Sequence, residues 1–163
     1  MLKLILMRHA KSAWNTDAPS DHARPLNPRG RKSAPLIAEK LKDLEWSPEL
    51  VLSSDSLRTK ETWMRMKTSF PCTPVHYFRE LYHGNLSDIH HVITHHAPND
   101  LHCLLLLGHN PGWEDALFQL SGENQRMTTA NAALLSHPEK DWTKAILQMG
   151  TWHCEQVLRP KEL

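Results

Sequence analysis

The feature that most constrains the fold is a series of short, continuous apolar runs separated by helical patterns. Three such runs occupy residues 2–7, 50–52 and 103–107, and a weaker one covers residues 75–78. Uninterrupted apolar strands are typical of a parallel sheet with two buried faces, because connecting helices cover it on both sides. The pattern therefore predicts an α/β fold, a three-layer α/β/α sandwich around a mostly parallel central sheet.

The segments between these runs carry helical signals. Asn27 followed by Pro28 predicts a helix start, and the internal Pro35 is expected to kink that helix or delay its beginning. Ser54 is predicted to cap a second helix that runs through to about Lys67. Two further helices are predicted over residues 88–96 and 113–120, and two later strands over residues 128–136 and 144–151.

Length and composition fit one globular domain that covers residues 1–163. A net charge of +1 lacks the basic excess that a nucleic-acid surface needs, and no stretch is apolar enough for a membrane span. The three cysteines are widely spaced, which argues against a disulfide framework, and the N-terminal apolar run is too short for a signal peptide. We therefore expect a cytoplasmic protein with no nucleic-acid or membrane partner.

Charged or titratable side chains follow each of the four predicted strands. Arg8 and His9 come directly after the first strand, and Arg58 follows the second at the start of a helix. Glu80 follows residues 75–78, and His109 follows residues 103–107. Because parallel strands place their carboxyl ends at one edge of a sheet, where ligands bind, we expect these side chains to converge.

Two arginines and two imidazoles make a suitable pocket for a tetrahedral phosphate dianion. Guanidinium groups pair bidentately with phosphate oxygens and stay charged. A neutral imidazole is a competent nucleophile toward phosphorus and forms a phosphohistidine that water then hydrolyses. A nearby glutamate can protonate the leaving oxygen. Since the arginines supply the positive charge, these residues predict a phosphatase that needs no cofactor and no metal ion.

Four separated segments together resemble the signature of the histidine phosphatase superfamily, which has the phosphoglycerate mutase-like fold. The first segment has alanine directly after its histidine, and in this it resembles the SixA-type branch, whose members are phosphohistidine phosphatases. The resemblance runs in the family's order from about residue 2 to residue 112 and implies that fold and that reaction class. The four segments are residues 8–15 (RHAKSAWN), 21–30 (DHARPLNPRG), 53–58 (SSDSLR) and 108–112 (GHNPG).

The resemblance also implies roles for individual residues. His9 would be the phosphorylated nucleophile, and Arg8 and Arg58 would hold the phosphoryl group. His109 would donate to the phosphoryl oxygens, and Glu80 occupies approximately the place of the superfamily's proton donor. SixA-type members depend less on a strong general acid, because a phosphoramidate leaving group is readily protonated. Three further residues are expected to contact substrate: Asn15, Arg24 and Asn110.

Three functions stay open on the sequence: a phosphohistidine phosphatase acting on a phosphorylated protein, a phosphomonoesterase for a small phosphorylated metabolite, and a silent phosphate-binding module. A Glu80 close to His9 would favour the metabolite, whereas an open site would favour the protein substrate. The intact arginine and histidine set argues against the silent module. His91 and His95 lie four residues apart on a predicted helix, a spacing that suggests a zinc site. Neither an HExxH motif nor a cysteine at ligand spacing accompanies them.

Overall fold

The computed structural model describes all 163 residues and contains one six-stranded sheet flanked by helices. The strands are β1 (Leu2–Arg8), β2 (Leu50–Ser54), β3 (Val75–Phe78), β4 (Cys103–Gly108), β5 (Ala132–His137) and β6 (His153–Leu158). The helices are α1 (Pro28–Asp43), α2 (Leu57–Met66), α3 (Leu86–His96), α4 (Gly112–Ser121) and α5 (Trp142–Ala145). None of the helices has the length and apolar character that crossing a membrane requires.

The sheet is mostly parallel, with strand order β3-β2-β4-β1-β5-β6. Strands β3, β2, β4 and β1 pair in parallel, β5 runs antiparallel to β1, and β6 runs antiparallel to β5. This arrangement confirms the predicted α/β fold with its mostly parallel central sheet.

Both faces of the sheet are buried, which explains the uninterrupted apolar strands. On β1, Leu4 and Leu6 belong to the core beneath α3, α4 and α5, whereas Ile5 and Met7 belong to the core beneath α1 and α2. Successive side chains of a strand point to opposite faces, so one apolar run supplies both cores. The helices therefore form two outer layers around the sheet, as the sequence predicts.

The beginnings of α1 and α2 refine the predictions for these helices. The Asn27 side chain caps α1 as expected, and α1 already includes the residues before Pro35, so the later start does not occur. Pro35 is partly exposed, and the carbonyl left unpaired by its missing N–H lies on exposed Arg31, where water can bind it. The cap of α2 is Ser56, because Ser54 still pairs within β2.

The predicted strand over residues 144–151 is wrong. This segment begins within α5, because the Asp141 side chain accepts from the N–H groups of Thr143 and Lys144 and starts a helical turn there. The indole of Trp142 is buried beneath the sheet, so the turn is also fixed by packing. The last strand, β6, follows this turn and contributes the outer edge of the sheet.

Three neighbouring strands bring the candidate site residues together. In the order β2-β4-β1, the carboxyl ends lie side by side, and the His9 N–H donates to the Gly108 carbonyl at 3.1 Å. The first turn of α1 closes against the loop after β1, where the Asn27 N–H donates to the Lys11 carbonyl. Gly30 permits this approach, since a Cβ there would overlap the same Lys11 carbonyl oxygen.

Candidate active site

His9 lies at the centre of the site, directly after β1, with 5% of its surface exposed. Its Nδ1 is 2.7 Å from the Ala10 carbonyl oxygen, which can only accept, so Nδ1 carries the ring proton. Nε2 has no proton and accepts from Nε of Arg58 at 3.3 Å. This tautomer leaves a lone pair on Nε2, as a nucleophilic imidazole requires.

Arg58 lies on the first turn of α2 and is 2% exposed. Its Nη1 donates to the Asp21 carbonyl oxygen at 2.7 Å, and its Nη2 donates to the Asp21 carboxylate at 3.0 Å. Nη2 also lies 3.3 Å from Nδ1 of His109. The Arg58 guanidinium therefore has a fixed position between the two histidines. From there it can donate hydrogen bonds to the oxygens of a phosphoryl group that His9 could attack.

His109 follows β4, and its ring centroid is 5.1 Å from that of His9. Its Nε2 is 2.8 Å from Oγ of Ser54, and this oxygen also accepts from the Ser56 N–H at 3.2 Å. The contacts are satisfied when Nδ1 of His109 accepts from Arg58 and Nε2 donates to Ser54. His109 is therefore held as a neutral ring whose Nδ1 edge faces the basic side of the pocket.

Burial determines the charge of both histidines. It lowers the pKa of His9 to about 3, and the positive charges of Arg58 and Arg8 contribute to this shift. Burial likewise lowers the pKa of His109 to about 2, with smaller contributions from His9 and Arg58. At neutral pH both rings are uncharged, so the arginines supply the positive charge in the pocket while His9 keeps its lone pair.

Acidification is expected to weaken the fold through these two histidines. Their ordinary pKa is 6.5, whereas in the fold it is about 3 for His9 and about 2 for His109. Between these limits the unfolded chain binds more protons, so the free energy of unfolding falls as the pH drops below 6.5. Each histidine contributes on the order of 1 kcal/mol per pH unit, measurable by urea unfolding between about pH 7 and about pH 5.

The matched variants for this measurement are His9→Gln and His102→Ala. His9→Gln removes one of the two buried titrating groups, so its free energy of unfolding should depend less steeply on pH. His102 is exposed, and its removal should leave the slope unchanged. A wild-type slope in His9→Gln would show that burial does not hold His9 neutral.

The histidines and arginines line a pocket of about 250 Å³. Arg8 enters it from the end of β1, where its Nη1 donates to the Met127 carbonyl oxygen and its Nε is buried without a partner. Lys11 and Arg24 add two more cations to the lining, and Asp21 is its only carboxylate. A small cavity with four cationic groups and one carboxylate suits an anion the size of a phosphoryl group.

Arg24 lies at this pocket, where a substrate-contacting residue is expected. Its Nη2 donates to Oγ of Ser12 at 2.9 Å, and its guanidinium lies 3.6 Å from the ring centroid of Trp14. Its buried Nη1 has no hydrogen-bond partner in the protein. A donor held in this way is available to a ligand, so substrate contact by Arg24 remains our prediction.

Asp21 orients the arginines of the site, although the sequence analysis gave it no role. Its carboxylate accepts from the Tyr82 hydroxyl at 2.5 Å and from Arg58, and it lies 3.2 Å from Nε of Arg24. The Tyr82 hydrogen bond and Arg58 lower the pKa of Asp21, so its carboxylate stays ionised at neutral pH. Its position three residues before Arg24 in a polar loop is a signal that could have identified it.

Six of the eight predicted site residues line this pocket. Among them, Asn110 donates from Nδ2 to Glu114 and to the Met127 carbonyl, and its buried Oδ1 has no partner. The six residues are Arg8, His9, Arg24, Arg58, His109 and Asn110. The lining also includes residues that the sequence did not identify: Lys11, Ser12, Asp21, His83 and Thr129.

Asn15 and Glu80 lie outside the pocket lining. Asn15 is exposed in the loop before α1, and the Glu80 side chain is 40% exposed, 3.6 Å from Nε2 of His91. No group of three or more histidine, cysteine, aspartate or glutamate side chains is arranged to hold a metal ion, and this includes the surroundings of His91 and His95. The histidines of α3 do not belong to the pocket lining.

Comparison with known proteins identifies the family. Residues 4–116 match the histidine phosphatase superfamily (branch 1). The chain belongs to the histidine phosphatase superfamily. An uncharacterised chloroplastic protein of Arabidopsis thaliana is 35% identical to it, over 97% of this chain and 78% of that protein.

Solved structures of SixA proteins share the fold of this histidine phosphatase. A protein of Agrobacterium tumefaciens assigned as the phosphohistidine phosphatase SixA is 26% identical, with a TM-score of 0.80 and coverage of 98% of each chain. The SixA protein of Nakamurella multipartitia superimposes with a TM-score of 0.85 over 98% of this chain and 96% of that one, at 24% identity. The resemblance in the sequence is thus confirmed, and the chain is a phosphatase.

Proposed function

We propose that this histidine phosphatase hydrolyses phosphohistidine on a phosphorylated protein, through a covalent phosphohistidine on its own His9. The observation that carries the proposal is that the pocket holds no carboxylic acid able to protonate a leaving group. Glu80 lies outside the lining, and Asp21 is held ionised by Tyr82 and Arg58. An ester oxygen needs such an acid, whereas the basic nitrogen released from phosphohistidine takes a proton readily.

The geometry supports a double displacement. Arg8 and Arg58 hold the phosphoryl oxygens, and the lone pair of Nε2 on His9 attacks phosphorus while the bond from phosphorus to the substrate nitrogen breaks. The substrate imidazole leaves with that electron pair and takes a proton from solvent water. The Ala10 carbonyl, which accepts from Nδ1, stabilises the positive ring that forms. Water then attacks phosphorus while the bond from phosphorus to Nε2 breaks. The protons of this water leave with inorganic phosphate or pass to solvent, and His9 returns to its neutral form with its proton on Nδ1.

A pair of peptides of the same sequence tests this substrate class, one carrying phosphohistidine and one carrying phosphoserine. With a chelator present, we expect kcat/KM for the phosphohistidine peptide to be higher by on the order of 100-fold, the value of a missing general acid. The reverse preference would support the phosphomonoesterase instead. If no phosphate is released from either peptide or from an aryl phosphate, the result would support the silent phosphate-binding module. Loss of activity with the chelator would support a metal-dependent mechanism.

Glu80→Gln is expected to change kcat/KM for phosphohistidine by less than about threefold, because the Glu80 carboxylate lies beside His91 and outside the pocket. Steady-state phosphate release by the variant and by wild type measures this effect. Glu123→Gln, a change of another exposed glutamate, is the matched control. A loss of more than about tenfold in Glu80→Gln alone would assign the proton donor to Glu80 and contradict the proposal.

A further inference from the structure

A second, larger groove adjoins the catalytic pocket. Its volume is about 690 Å³, against about 250 Å³ for the pocket that holds His9. The two cavities share Arg8, Lys11 and Thr129, so the groove opens directly beside the phosphoryl-binding groups. A ligand attached to a phosphoryl group in the pocket can therefore extend into this groove.

The groove is strongly basic. Six cationic side chains line it, with Glu162 as the only carboxylate. The whole chain has a net charge of +1, so the remaining surface is net negative and the positive charge is concentrated at this groove. The six cations are Arg8 at the end of β1, Lys11 after it, Arg29 and Lys32 on α1, and Arg159 and Lys161 after β6.

Most of these charges have no partner within the protein. Only Arg159 lies within ion-pair distance of a carboxylate, 3.9 Å from Glu162. The first turn of α1 carries no acidic residue, although acidic groups stabilise that end of a helix, and Arg29 in this turn opposes the helix dipole. An arrangement that costs helix stability while concentrating unpaired positive charge beside an active site is suited to an anionic ligand.

We propose that this groove binds an acidic segment of the protein substrate next to its phosphohistidine, an inference that rests on the proposed function. Arg29, Lys32 and Lys161 are exposed, and the other three cations are partly exposed. Because they are spread over three chain segments, the cations can pair with several carboxylates along an extended peptide. One additional phosphate would contact only part of a groove of this volume, which falls in the range that holds a drug-sized ligand. The pocket thus selects the phosphoryl group, and the groove selects its acidic surroundings.

Binding of unphosphorylated peptides tests the groove independently of catalysis. Two fluorescein-labelled peptides of equal length are compared by fluorescence anisotropy, one rich in Asp and Glu and one with Asn and Gln in their place. Wild type should prefer the acidic peptide, and the R29A/K32A/K161A variant should bind it about tenfold more weakly. Added salt should weaken this binding, because exposed charge pairs are screened.

The matched control is R65A/K42A/K67A, which removes the same net charge from exposed positions outside both cavities. Thermal unfolding shows whether each variant folds. Equal loss of binding in both triple variants would overturn the groove in favour of a general charge effect, and so would equal binding of the two peptides by wild type. Displacement of the acidic peptide by stoichiometric inorganic pyrophosphate would also overturn it, in favour of a second phosphate.

Kinetics then separates the groove from the proposed function. Phosphohistidine is placed in both peptides, and the ratio of kcat/KM for the acidic to the neutral peptide is expected to fall about tenfold in R29A/K32A/K161A. A ratio unchanged from wild type would overturn the inference while leaving the phosphohistidine substrate in place. Acidic-peptide binding without hydrolysis of either peptide would overturn the proposed substrate and still support the groove as an acidic-peptide site.

Discussion

Replacing His9 by alanine is expected to lower kcat/KM by at least about 10³-fold, because the variant has no group that can form the covalent intermediate. The unprotonated Nε2, which accepts from Arg58 at 3.3 Å, is the only nitrogen of His9 free to attack phosphorus. The fold should persist, since His9 lies at the end of β1 and belongs to neither apolar core. Phosphate release from a phosphohistidine peptide and circular dichroism measure the two effects.

The intermediate itself gives a second readout. Wild type mixed with excess substrate and quenched in alkali, where phosphohistidine is stable, should carry one phosphoryl group on the peptide that contains His9. His9→Ala should carry none, and His102→Ala, which removes an exposed histidine, should behave as wild type. Substantial turnover by His9→Ala, or a phosphoryl group on another residue, would overturn the assignment of the nucleophile.

The parts of the fold that the sequence predicted are those with a repeating pattern. The apolar runs of β1 and β4 are short for a buried helix and therefore favour strands buried on both faces, and Asn27 with Pro28 gives a local start for α1. The segment around α5 could not be predicted in the same way. Its helical turn depends on an Asp141 cap and on burial of Trp142 beneath a sheet that the local sequence does not reveal.

The site residues also divide into those that the sequence could predict and those that depend on tertiary contacts. Residues at or directly after the carboxyl end of a strand, such as Arg8, His9 and His109, were predictable because the sheet fixes the position of the backbone there. Asn15 and Glu80 lie in a loop and after an edge strand, and there the direction of the side chain depends on tertiary contacts such as that between Glu80 and His91. Groove residues such as Lys161 approach the pocket only through the packing of the C-terminal segment beside α1.

Arg58→Ala should lower kcat/KM by on the order of 100-fold or more, because it removes the guanidinium that can stabilise the negative charge developing on the phosphoryl oxygens in the transition state. In the free enzyme Nη2 of Arg58 is shared between the Asp21 carboxylate and Nδ1 of His109. A bound phosphoryl group competes for this donor. Once Nδ1 is released, His109 can change tautomer, so that Nδ1 donates to the phosphoryl oxygens while Nε2 accepts from the Ser54 hydroxyl. Loss of one guanidinium therefore affects both the binding of substrate and the transition state, so KM should rise and kcat should fall.

Three comparisons separate this effect from a structural one. Arg65→Ala, at an exposed position on the last turn of the same helix, should leave kcat/KM within about twofold of wild type. Arg58→Lys should recover little, since an ammonium group cannot reach Nε2 of His9, Asp21 and the phosphoryl oxygens together. Guanidinium ion at concentrations below those that unfold the protein should partly restore Arg58→Ala, because it can occupy the vacated space. Full activity in Arg58→Ala, or a loss that Arg65→Ala reproduces, would remove Arg58 from the phosphoryl-binding site.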